Sequence, residues 1–122
     1  MNTKRPKKKE LTARIAEARD AFAGRCVVAV NAGKFAAQLV GLGIQGQEEL
    51  LQAVGEALKK LTPGTYSGRY PPTKCLEKGF ENLEMFAFVV DSAVLGARIY
   101  MKFVLRKGHL GLVSFHETTE GG

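Results

Sequence analysis

The stretch Ile99–Glu117 reads IYMKFVLRKGHLGLVSFHE and predicts a β-hairpin. Apolar residues alternate with other types on both sides of a Lys-Gly dipeptide, a signal for a tight turn between strands. Polar or amphipathic side chains fall at strand spacing on both arms: Tyr100, Lys102, Ser114 and His116. These side chains form either a solvated sheet face or one wall of a functional site.

The length of the turn decides which side chains share a face of the hairpin. A two-residue turn at 107–108 pairs Ile99 with His116 and places the histidine among apolar side chains. A three-residue turn at 106–108 pairs Arg98 with His116 and separates polar from apolar residues, so we predict the longer turn. The predicted apolar face is Ile99, Met101, Phe103, Leu105, Val113 and Phe115. The predicted second face is Arg98, Tyr100, Lys102, Val104, Leu110, Leu112, Ser114 and His116.

The residues before the hairpin predict three helices and two strands. Apolar residues recur at helical spacing over 11–23, 34–42 and 47–61. The β-branched run 27–30 predicts a short edge strand, and the apolar run 85–90 predicts a central strand covered on both faces. We predict an α+β fold, with three helices packed on one face of a small antiparallel sheet that ends in the C-terminal hairpin.

Composition and charge bound the class of protein. The chain has 122 residues, consistent with a single domain over 11–117, a flexible basic arm over 1–10 and a tail over 118–122. The net charge of +6 suits a polyanion or an acidic partner protein, although six of the eighteen cations lie in the first fourteen residues. Two distant cysteines, no membrane-length apolar run and no signal peptide favour a cytoplasmic protein without membrane association.

The polar end of the predicted second face has the residue types that metal-free RNA cleavage requires. A base must remove the proton of the ribose 2′-hydroxyl, cations must stabilise the phosphorane, and an acid must protonate the leaving 5′-oxygen. Histidine can exchange a proton, lysine and arginine bind phosphate, and tyrosine can donate to phosphate or stack on a base. The group contains neither a carboxylate pair nor a metal-ligand set, so we expect no cofactor.

Several short motifs, in their order along residues 11–117, resemble the MqsR-type toxins, which are mRNA interferases of the RelE-like superfamily. The motifs are FAAQLVGLGI at 35–44, EELLQAVGEALKKLTP at 48–63, MFAFVV at 85–90 and GARIYMKFVLRKGHLGLVSFHE at 96–117. The resemblance implies a RelE-like fold and a toxin of a toxin–antitoxin pair. Such a toxin cleaves single-stranded mRNA without a metal, inhibits translation, and is neutralised by a cognate antitoxin protein.

The resemblance also implies roles for particular residues. Tyr100 would be catalytic or contact RNA, and His116 stands where the family usually has a lysine. Ala87 replaces a substrate-contacting glutamine, and the lysine that follows LTP in the family is missing, with Arg69 the nearest cation and Lys74 the next. We therefore predict the catalytic residues Tyr100, His116 and Arg69, and the substrate-binding residues Lys102, Arg98, Lys74 and Ser114. The departures leave open a divergent endoribonuclease or a catalytically degenerate module that binds RNA or protein.

Overall fold

The structure is a computed structural model that describes residues 7–69 and 71–119. Its helices are α1 (Lys8–Ala23), α2 (Ala32–Gly41) and α3 (Gln47–Lys60), with a short 3₁₀ turn at Pro63–Thr65. Its strands are β1 (Val27–Ala29), β2 (Phe86–Ser92), β3 (Ala97–Arg106) and β4 (His109–Glu117). The prediction of an α+β fold with three helices is confirmed.

The predicted arm and tail are only partly within the described residues. Helix α1 begins at Lys8, so the end of the predicted arm at 8–10 is helical. The remainder of the arm at 1–6 and the end of the tail at 120–122 lie outside the described residues.

Helix α3 illustrates why these sequences form helices. Its first turn contains two glutamates and its last turn contains Lys59 and Lys60, so both ends carry the charge that the helix dipole favours. The guanidinium group of Arg19 on α1 donates to the carbonyl oxygens of Leu58, Lys59 and Leu61 at 2.8–3.1 Å. These bonds supply donors to carbonyl oxygens at the C-terminal end of α3, where backbone N–H donors are lacking, and they fix α1 to α3.

An apolar core lies between the helices and one face of the sheet. The helices contribute Leu11, Ile15, Ala18, Ala21, Phe35, Ala53, Val54, Ala57 and Leu58. The strands contribute Phe86, Phe88, Val90, Ile99, Met101, Phe103, Leu110, Leu112 and Phe115. The helices therefore cover one face, which we call the helix face, and leave the second face of the sheet for other contacts.

The sheet has the strand order β1-β4-β3-β2 and is mixed rather than antiparallel as predicted. Strands β2, β3 and β4 form an antiparallel meander, whereas β1 pairs in parallel with β4 through Val27 and Leu110. No hairpin connects β1 to its neighbour, so nothing in the connection imposes the antiparallel direction. The predicted edge position of β1 is confirmed, but β2 occupies the opposite edge and not the centre.

The hairpin turn has two residues, so the predicted three-residue turn is wrong. Lys107 and Gly108 have φ angles of 47° and 81°, and Arg106 pairs with His109. Positive φ at both central residues is the geometry of a type I′ turn, whose twist matches that of the strands. The predicted pairing register is therefore wrong beside the turn, and it is also wrong at the far end, where Tyr100 and not Arg98 pairs with His116.

A β-bulge at Val113 shifts the register farther along the hairpin. Phe103 pairs with Leu112, but the next residue of β3, Lys102, pairs with Ser114. The extra residue in β4 reverses its alternation, so Tyr100 lies directly opposite His116. The polar residues therefore share a face as predicted, whereas Leu110 and Leu112 belong to the helix face, contrary to the prediction.

The long connection after α3 covers part of the second face. Ser67 donates its backbone N–H to Ala87 at 2.7 Å and extends the sheet beyond β2. Farther along, Cys75 is buried and its N–H bonds to Leu83, so residues 73–85 double back on themselves. The Phe80 ring lies over Gly111, where an added Cβ would come within 3.2 Å of it. The connection thus covers the half of the second face near the turn.

Candidate active site

A cavity of about 500 Å³ lies on the second face, at the end of the hairpin remote from the turn. Strands β2 and β3 supply Ala87, Tyr100 and Lys102, and the end of β4 supplies His116. The connection supplies most of the remaining wall. The other lining residues are Ser67, Gly68, Arg69, Thr73, Met85 and Thr118.

Tyr100 and His116 form the cross-strand pair at the centre of the cavity wall. Their ring centroids are 5.2 Å apart, and the ring planes differ by 27°. His116 Nδ1 lies 2.9 Å from the backbone oxygen of Glu117. Because a carbonyl oxygen can only accept, this contact assigns a proton to Nδ1 and leaves Nε2 as the nitrogen that can accept a proton from a ligand.

Lys102 places a cation beside this pair. Its Nζ atom lies 5.8 Å from the centroid of the Tyr100 ring. Burial lowers the pKa of the Lys102 ammonium group below its usual range, and the positive charge of Lys34 lowers it further, while Cys75 acts in the opposite direction. The group is therefore a stronger acid than an ordinary surface lysine.

Arg69 reaches the cavity from the connection, and its backbone is held by a tyrosine. The Tyr66 hydroxyl donates to the Arg69 carbonyl oxygen at 2.7 Å, and the Tyr66 ring packs edge-on against Phe88 at 5.5 Å. Gly68 lets this ring approach, because a Cβ at that position would come within 2.5 Å of the hydroxyl oxygen. The Arg69 side chain is exposed on an anchored segment.

Three of the predicted site residues lie away from the cavity lining. Arg98 forms an ion pair with Asp91 at 3.0 Å and borders a separate depression with Lys60. Lys74 forms an isolated antiparallel β-bridge with Glu84 through the backbone of the connection. Ser114 is only 4% exposed and lies opposite Lys102 in the sheet. The structure therefore brings together Tyr100, His116, Lys102 and Arg69, and it leaves Arg98, Lys74 and Ser114 outside the cavity lining.

Arg69 and the position of Ala87 were predicted from the sequence, but five other lining residues were not: Ser67, Gly68, Thr73, Met85 and Thr118. Met85 and Ala87 alternate with two core phenylalanines, and this period of two was sufficient to assign them to the second face. Thr73 reaches the cavity because its carbonyl oxygen accepts from the Met85 N–H at 2.8 Å. Such a contact within an irregular connection has no sequence signature.

Two other classes of feature have no candidate in the part of the chain that the structure describes. Within 7–69 and 71–119, no three histidine, cysteine or carboxylate side chains group closely enough to hold a metal ion. Over the same residues, no helix combines the length and apolar character needed to cross a membrane. Both cysteines are free thiols.

Comparison with protein-family models, with curated proteins and with solved structures found no match for this chain. The resemblance to MqsR-type toxins therefore stays a prediction. The chemistry of the cavity has to follow from its own residues.

Proposed function

We propose that this protein is the toxin of a toxin–antitoxin pair, an endoribonuclease that cleaves single-stranded mRNA without a metal ion. The observation that carries the proposal is the direct opposition of Tyr100 and His116 at the cavity wall, with Lys102 beside them. A proton-transfer group, a phenol and an ammonium group thus line one cavity that is open to solvent.

The proposed reaction forms one bond to phosphorus and breaks another. His116 Nε2 removes the proton of the ribose 2′-hydroxyl, and the resulting oxygen attacks the adjacent phosphorus. The bond from phosphorus to the 5′-oxygen breaks, and Lys102 donates a proton to that oxygen. The products are a 2′,3′-cyclic phosphate and a free 5′-hydroxyl, so atoms and charges balance.

The assignment of the base and the acid follows from the two environments. The contact of His116 Nδ1 with a carbonyl oxygen occupies Nδ1 as a donor, so Nε2 is the nitrogen that can take a proton from the substrate. The lowered pKa of Lys102 suits proton donation. Arg69 and the Tyr100 hydroxyl then stabilise the negative charge that builds on the phosphate oxygens.

Cleavage of a long single-stranded RNA in EDTA tests the proposal. We expect 2′,3′-cyclic phosphate ends, no cleavage of 2′-O-methyl RNA, and loss of activity in His116→Ala and Tyr100→Phe. Lys59→Gln is the matched control, because it removes one exposed charge from the last turn of α3, on the other side of the sheet. If His116→Ala and Tyr100→Phe both cleave like the wild type, the proposal is wrong.

The role of Lys102 has its own test. Lys102→Arg keeps the positive charge, but its guanidinium group is too weak an acid to protonate the leaving oxygen. We expect this variant to bind RNA and to lose cleavage. A variant that retains full cleavage would show that Lys102 only binds phosphate.

The apolar β2 wall of the cavity favours a second candidate, a module that binds RNA or an acidic protein without cleaving it. Met85 and Ala87 supply no group there that can donate or exchange a proton. This candidate predicts salt-dependent RNA binding without products. Expression in bacteria separates the two, because an active toxin arrests growth, whereas the His116→Ala variant should not.

A further inference from the structure

A second depression lies at the turn end of the same sheet face. It has a volume of about 320 Å³ and is lined by Val28, Phe80, Arg106, Lys107 and His109. Arg106 and His109 are the cross-strand pair that flanks the turn. Because side chains alternate along β3, Arg106 and Lys102 project to the same face. We call this depression the turn site.

The cations of the turn site are held without a carboxylate partner. The Arg106 guanidinium carbon lies 5.8 Å from the centroid of the Phe80 ring, a cation–π arrangement that restricts the side chain. Neither Arg106 nor Lys107 forms an ion pair within the described ranges 7–69 and 71–119. The positive charge of the turn site is therefore available to an anion from solvent.

The backbone of the turn supplies an independent observation. Lys107 has a φ of 47°, in the left-handed region where asparagine and glycine are favoured at this turn position. A lysine in this conformation costs stability, and such strained residues concentrate at functional sites. Lys107 therefore keeps a backbone conformation that is unfavourable for lysine.

We infer that the turn site binds the sugar–phosphate backbone of the same single-stranded RNA, several nucleotides from the bond that is cleaved. This inference rests on the proposed function. Arg106 lies six residues beyond Tyr100 along β3, a span of about 20 Å at the rise of an extended strand. That span corresponds to about six nucleotides at the rise of about 3.4 Å per nucleotide of a stacked strand. An aromatic ring with adjacent cations is the combination that single-strand binding uses.

RNA length and salt dependence provide the test. Fluorescence anisotropy would measure binding of 2′-O-methyl RNAs of four and fifteen nucleotides, which cannot be cleaved. We expect the double variant Arg106→Gln/Lys107→Gln to weaken binding of the 15-mer about 25-fold at 0.1 M salt and to reduce the salt slope by about 1.4, as two lost phosphate contacts require. Binding of the 4-mer should not change, since it cannot span both sites.

Matched variants separate failure of the inference from failure of the proposed function. Lys9→Gln/Lys59→Gln removes two exposed charges elsewhere and should not change the binding of either RNA. Arg106→Lys/Lys107→Arg keeps both positive charges and should bind the 15-mer like the wild type. If the wild type neither binds nor cleaves RNA, the proposed function and the inference both fall. If it does both, but the glutamine variant binds the 15-mer as tightly, only the inference falls, and an acidic protein becomes the better ligand for the turn site.

Discussion

Removal of the Glu56 carboxylate tests how the helices are joined to the strand that carries Tyr100. Glu56 on α3 is 17% exposed and accepts from the Ser92 hydroxyl and the Ala93 N–H, each at 2.7 Å, and from the Val94 N–H at 3.2 Å. Ser92 is the last residue of β2, and the other two donors belong to the turn that leads to β3. The carboxylate therefore fixes the start of β3 relative to α3.

The expected loss of stability follows from these bonds. A hydrogen bond to a charged group contributes about 1.5–3 kcal/mol, and the exposed N–H groups can bond to water once the carboxylate is removed. We therefore expect Glu56→Ala to lower the free energy of unfolding by about 2 kcal/mol in total and Glu56→Gln by about 1 kcal/mol, because the amide keeps one acceptor. For a chain of this length, 1 kcal/mol lowers Tm by about 4 °C.

The pH dependence of this loss has a definite sign. Burial raises the pKa of the Glu56 carboxyl, but the hydrogen bonds from Ser92, Ala93 and Val94 and the charge of Lys60 outweigh it, so the pKa lies below the usual 4.5. A lowered pKa in the folded state gives stability that is present above pH 4.5 and disappears as the pH falls through the folded value. The difference in the free energy of unfolding between the wild type and Glu56→Ala should therefore become smaller as the pH falls below 4.5.

Urea denaturation between pH 3 and pH 7 measures these effects. Glu48→Gln is the control, since Glu48 is exposed and the change should stay within about 0.5 kcal/mol of the wild type. A Glu56→Ala variant as stable as the wild type at pH 7, or a gap that widens in acid, would refute the reasoning.

Three further substitutions test the sheet and its two sites. Gly111→Ala places a Cβ 2.8 and 2.9 Å from two valine methyl groups, so it should lower the free energy of unfolding in urea by about 1–3 kcal/mol. The control Gly41→Ala meets nothing within 4 Å and should raise the free energy of unfolding by about 0.5 kcal/mol. Lys102→Met removes a charge that burial disfavours, so we expect a Tm at or slightly above that of the wild type together with loss of RNA cleavage; a lower Tm would contradict the burial effect. Lys107→Asn should raise the free energy of unfolding by about 0.5–1 kcal/mol, because asparagine adopts the positive φ at lower cost than lysine. The same substitution should weaken binding of the 15-mer RNA, and an unchanged free energy of unfolding would contradict the assigned strain.

The helices and the strand types could be predicted from the sequence because each follows from local periodicity. The apolar stripe over 47–61 and the alternation over 99–105 correspond to α3 and β3. The direction of β1 could not be predicted, because it depends on docking against β4, which follows it by about 80 residues. Parallel and antiparallel pairing require the same β-branched residues in so short a strand.

The shared face of Tyr100 and His116 was predicted although the turn length was wrong and the bulge at Val113 was not foreseen. The predicted three-residue turn shifts the register by one residue in one direction, and the Val113 bulge shifts it by one residue in the other direction. Either shift places Tyr100 and His116 on the same face, so the face was predicted correctly although the pairing was wrong by two residues. A type I′ turn is readable from Lys107-Gly108, whereas a bulge formed by an ordinary valine has no sequence signature. Apart from Arg69, the cavity walls that the connection forms were missed, because they depend on contacts between distant irregular segments.

The bulge at Val113 has a consequence for how this chain is aligned with others. Val113 is the residue that β4 can omit while every other cross-strand partner stays the same. A homologue with a regular strand would carry the counterpart of His116 one residue closer to the turn. An alignment anchored on Lys107-Gly108 therefore needs a one-residue gap at Val113, and without that gap it would match His116 to the wrong column.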